Sequence, residues 1–129
     1  MYAHPFTPAH ALAIADDASE AIRALNHATH PADAAPGLQC PFDAYRMLAA
    51  LRELADRLPQ LLTQIAGFLA LQLQHDLISI DGGEHDGDPL AALGSACYHL
   101  EQQAAPAAVR LARALDTAQQ AIAFARYTD

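Results

Sequence analysis

Seven apolar residues, Leu48, Leu51, Ala55, Leu58, Leu62, Ile65 and Leu69, recur at strictly alternating steps of three and four. Only a helix, at about 3.6 residues per turn, gathers such a series on one face. A strand would scatter it over both faces. Met47, Leu54, Leu61 and Phe68 add a second row at steps of seven. Together the rows form a stripe broader than a two-stranded coiled-coil seam, and a broad stripe asks for more than one helical neighbour. The spacing predicts a helix over about 41–78.

Two further helices are legible. Ala11, Ile14, Ala18, Ala21, Leu25 and Ala28, with Ile22 alongside, predict a helix over about 8–28, with Asp16, Asp17, Glu20 and Arg23 mainly on its other side. Leu90, Leu93, Cys97, Leu100 and Ala104, then Ala108, Leu111, Leu115, Ala118, Ile122 and Ala125, predict a helix over about 89–127. Each helix opens on proline, where the missing N–H would be unpaired anyway. Thr7 and Asp88 precede two of these prolines and suit the cap position. Cys40 is a poor cap for the third, but Asp43 suits the positive end of the helix dipole. Composition agrees with an all-α fold. Alanine dominates the 53% hydrophobic content, Val109 is the single valine, and there is no Trp.

The connections are equally plain. Residues 29–39 hold Pro31, Pro36 and Gly37 and read as a linker. The run Asp81-Gly-Gly-Glu-His-Asp-Gly-Asp88 is short, acidic and glycine-rich, as a turn between antiparallel helices would be. Pro59 falls inside the middle helix, but the apolar phase runs through it unbroken, which favours a kink over two separate helices. Between Ala104 and Ala108 two steps of four adjoin, and Pro106 lies among them. A kink with a change of winding is expected there. Arg52 with Asp56, and Glu53 with Arg57, stand four apart and are expected to pair.

The expected architecture is an antiparallel helical bundle in one domain of 129 residues: a short N-terminal helix and two long helices kinked at Pro59 and Pro106. Helices of roughly 38 residues would be about 57 Å long. The first helix, about half that length, is expected beside the first half of the second and the last half of the third. The other end of the hairpin would then lack cover. There Leu62, Ile65, Phe68, Leu69, Leu73 and Leu77 would face Leu90, Leu93, Cys97 and Leu100. An apolar patch of that size seldom stays in water. It is expected to join a second copy as a homodimer completing a four-helix bundle, or to meet another helical protein. A compact five-helix monomer, folded back at both prolines, is the alternative.

Several functions find little support. The net charge is −8, and all seven basic residues are arginine, which opposes a grip on nucleic acid. No apolar run approaches the ~18 residues of a membrane span. Met1 to Phe6 lacks the basic and apolar regions of a signal peptide, so the cytoplasm is the expected location. Cys40 and Cys97 are expected as free thiols, Cys97 on an apolar face. There are seven histidines, but no Glu-x-x-His or His-Glu-x-x-His. His27 and His30 lie three apart, and His99-Leu-Glu101 lacks a Pro-Cys-x-x-Cys partner. The acidic loop lacks the order of a calcium-binding loop. Ser19, Ser79 and Ser95 have no glycine elbow. No catalytic residue, metal site or cofactor is expected. A ligand- or metal-binding bundle with histidines facing inward is the second functional reading, a ligand cavity there being lined by Phe68, Tyr98 and His99.

The segments Arg57-Leu-Pro-Gln-Leu-Leu62 and Leu115-Asp-Thr-Ala-Gln-Gln120 resemble those of small Ala/Leu-rich helical proteins of high-GC actinobacteria. The resemblance spans most of residues 41–125, implies the same all-α build, and carries over no functional residue. Helical hairpins of this size are also similar to the small secreted partner proteins of type VII secretion. Those turn on a Trp-x-Gly motif, whereas this chain has no Trp and a longer, acidic turn.

Overall fold

The computed structural model describes residues 6–31, 37–76 and 78–128. Its order is α1 (Pro8–Ala28), α2 (Pro41–Gln74), α3 (Pro89–Tyr98), a π-helical segment (His99–Ala104) and α4 (Ala105–Ala121), with no strand among the described residues. The chain forms two compact units, 1–44 with 126–129, and 45–125.

The first unit holds α1 and the start of α2. Thr7 Oγ1 accepts the His10 N–H at 3.1 Å and caps α1. At its other end the Thr29 hydroxyl and N–H both donate to the Leu25 carbonyl. The Gly37 N–H donates to the Ala28 carbonyl, and a Cβ at position 37 would lie 2.9 Å from that oxygen. Only glycine fits so close an approach. Asp43 does more than complement the dipole of α2. Its Oδ2 accepts the N–H groups of Cys40 and Gln39, at 3.3 and 3.0 Å, one half of a capping box. The Tyr127 hydroxyl donates to the Gln39 carbonyl at 2.7 Å. No residue of α1 is buried, so its apolar series is not enclosed.

The second unit is an antiparallel hairpin. Arg52 meets Asp116 and Ala66 meets Cys97, so α2 runs against α4 and then α3. This register sets Pro59 level with the chain around Pro106. Helix α2 is continuous through Pro59. It ends at Gln74, four residues before the expected 78, and Asp76 beyond it takes a positive φ of 55°. That left-handed turn stops the helix, and aspartate tolerates it better than most side chains.

The loop is knit from its own backbone. Asp86 Oδ1 accepts the Gly82 N–H at 2.6 Å, and the Gly87 N–H donates to the Ile80 carbonyl at 2.8 Å. Gly82, Gly83 and Gly87 all have positive φ. Asp88 then caps α3 through the Ala91 N–H at 3.1 Å.

The doubled step of four is taken up by the π segment. The Ala105 N–H reaches back five residues to the Leu100 carbonyl. Pro106, one residue on, has no N–H to give. The Glu101 carbonyl is thus left without a donor from four or five residues ahead. Helix α4 ends at Ala121 instead of the expected 127.

The seam of the hairpin is made of small residues. Its buried apolar positions are Ala55 and Ala66 on α2 and Ala105, Ala108 and Ala112 on α4; Gln119 is buried with them. Small side chains let two helices approach closely. They also bury little apolar area, and no large side chain is fully buried among the described residues.

Candidate interaction face

At about 100° per residue, Ala55, Leu62, Ala66 and Leu73 stack on one line of α2. Leu54, Leu61 and Ile65 each stand one position before a member of that line, and Phe68 is close by. All four are exposed, Phe68 by 59%. On α4, Leu111 stands one position before the buried Ala112 and is likewise exposed. In an antiparallel pair of right-handed helices, one step back along either chain turns toward the same side. These five large side chains therefore share one side of the hairpin. Leu58, Leu115 and Ile122 are half-buried.

The predicted interaction residues divide by position. Leu62, Leu69, Leu73, Leu93, Cys97 and Leu100 are half-buried; those on α2 follow the seam. Ile65 and Phe68 flank it and are exposed. Leu90 is 68% exposed, level with the last turn of α2, where the facing helix runs out. Leu77 lies outside the described residues. Sequence reasoning missed Ala66, Ala105 and Ala112 as seam residues. It ranked leucines above alanines, and it placed Leu111, Ala118 and Ala125 inward, where the structure has them exposed. The signal lay in the alanine spacing 105, 108, 112, which follows the helical period as well as the leucine series does.

The charges on the opposite side depart from expectation. Among the described residues Arg52 does not pair with Asp56 in its own helix. Its Nη1 donates to Asp116 Oδ1 across the hairpin at 3.1 Å. Glu53 and Arg57 form no bridge among the described residues. The buried Nε of Arg52 has no hydrogen-bond partner among the described residues.

The histidines and cysteines are dispersed. His99 Nδ1 lies 2.7 Å from Gln103 Oε1, and the His99 ring stands edge-on to Tyr98. Tyr98 is more than half exposed, as is Phe68, so the expected cavity lined by Phe68, Tyr98 and His99 is open surface. Cys40 and Cys97 are free thiols, and the Cys97 Sγ donates to the Ala66 carbonyl at 3.3 Å. Among the described residues no group of three or more His, Cys, Asp or Glu gathers as a metal site would, and no helix is long and apolar enough to cross a membrane.

The chain matches no family model, no curated protein and no solved structure.

Proposed function

We propose that this protein is a non-enzymatic helical interaction module that self-associates, through the side of the hairpin bearing Leu54, Leu61, Ile65, Phe68 and Leu111. One observation carries the reading. The hairpin fully buries only small apolar residues in its seam and leaves five large apolar side chains exposed together on one side. Exposed apolar groups of that size favour a partner, because burying each one fully stabilises by about 1.5–3 kcal/mol. A second copy related by a twofold axis would offer the same surface in return and complete a four-helix bundle. Another helical protein with an apolar face is the alternative partner, and the cytoplasm is the proposed setting.

Sedimentation velocity across a hundredfold range of protein concentration tests this. The native chain is expected to sediment as a dimer that dissociates on dilution, and Phe68→Glu as a monomer throughout. A native chain that stays monomeric at every concentration removes the proposal.

A further inference from the structure

The side of the hairpin turned away from Phe68 has a different chemistry. Its residues stand one position after the seam: Asp56 after Ala55, Pro106 after Ala105, Val109 after Ala108 and Arg113 after Ala112. Here the levels of Pro59 and Pro106 coincide, and a groove of about 520 Å³ opens between them. It is lined by the apolar Pro59, Ala105, Pro106 and Val109 and by the charged Glu101, Arg110 and Arg113. Val109 and Arg113 also line a neighbouring recess of about 280 Å³, bounded by Arg52, Asp56, Ala112 and Asp116. From Glu101 to Asp116 the rise of a helix is about 22 Å.

Arg52 is committed to Asp116, but the guanidinium groups of Arg110 and Arg113 have no ion pair or hydrogen bond among the described residues. They stand three residues apart on the same side, so two like charges are neighbours over an apolar floor. An anion between them would relieve that repulsion, and a planar guanidinium matches a carboxylate or a phosphate. The acids decide between these. Glu101 lines this groove and Asp56 and Asp116 the neighbouring recess, and they repel a multiply charged phosphate more strongly than a single carboxylate. The proline and valine floor, for its part, favours a ligand with a long apolar body.

We propose that this groove binds an amphipathic monocarboxylate, its unbranched chain laid along Pro59, Pro106 and Val109 and its head group held by Arg110 and Arg113. This site lies on the side opposite the self-association surface and does not depend on it.

Dodecanoate is the probe, followed through the arginine Nε–H signals of the native protein by NMR, with dodecyltrimethylammonium as the cationic control. Dodecanoate is expected to shift the Arg110 and Arg113 signals saturably at one molecule per chain. The double variant Arg110→Gln/Arg113→Gln should weaken binding at least tenfold. Phe68→Glu should leave it within twofold, which separates this site from the apolar side. The proposal is overturned if dodecanoate gives no saturable shift or if the ammonium control binds equally well. Binding that survives the double variant, or that is lost in Phe68→Glu, overturns it too.

Discussion

Ala66 is fully enclosed, and the Cys97 thiol reaches its carbonyl at 3.3 Å. A side chain larger than a methyl group at this position has nowhere to go without parting the helices. Ala66→Leu is expected to destabilise the hairpin by about 1–3 kcal/mol, read from the urea midpoint. A rise in stability would mean the seam is looser than the structure has it. The Arg52–Asp116 pair is weaker by nature, since both side chains stand partly in solvent, at 36% and 46%. Asp116→Ala is expected to cost at most about 1 kcal/mol, and that loss should shrink as salt is added. Asp88 is a purely local device. Asp88→Ala removes the acceptor of the Ala91 N–H and should lower stability by about 1 kcal/mol, with little dependence on protein concentration.

Among the elements, the two prolines sit differently. Pro59 interrupts the hydrogen bonds of a continuous α-helix, while Pro106 follows a turn already widened. Pro59→Ala should therefore raise the melting temperature, because a proline inside a helix costs about 3 kcal/mol. An unchanged or lower value would show that the groove floor contributes more than the lost bond.

Helix starts were legible in sequence because each is marked by proline and, in two cases, by a side-chain cap acting within three residues. Helix ends were less so. Gln74 is followed by a left-handed aspartate, which leaves no residue signature, and the end of α4 at Ala121 has none either. The winding change near Pro106 was visible as a doubled step of four. Which side turned inward after it was not, because alanine and leucine count alike as apolar while only alanine allows the close approach found here.

For the whole molecule, the consequence of an alanine seam is that Leu54, Leu61, Ile65, Phe68 and Leu111 stay exposed beside it. Of the interaction residues chosen from the sequence, Ile65, Phe68 and Leu90 are exposed, while most of the leucines chosen with them lie half-buried. Leu54, Leu61 and Leu111, exposed beside Ile65 and Phe68, were not chosen. The groove at the prolines was not foreseen, since it depends on the register between helices, which only a contact such as Arg52 with Asp116 fixes. The two sides of the hairpin are told apart by a single position in the chain, one before or one after each seam alanine. No side chain named on one side serves the other. Substitutions at 54, 61 or 65 can thus retune what the molecule adheres to, and substitutions at 106, 109 or 113 what it holds, as two traits free to drift independently in descent.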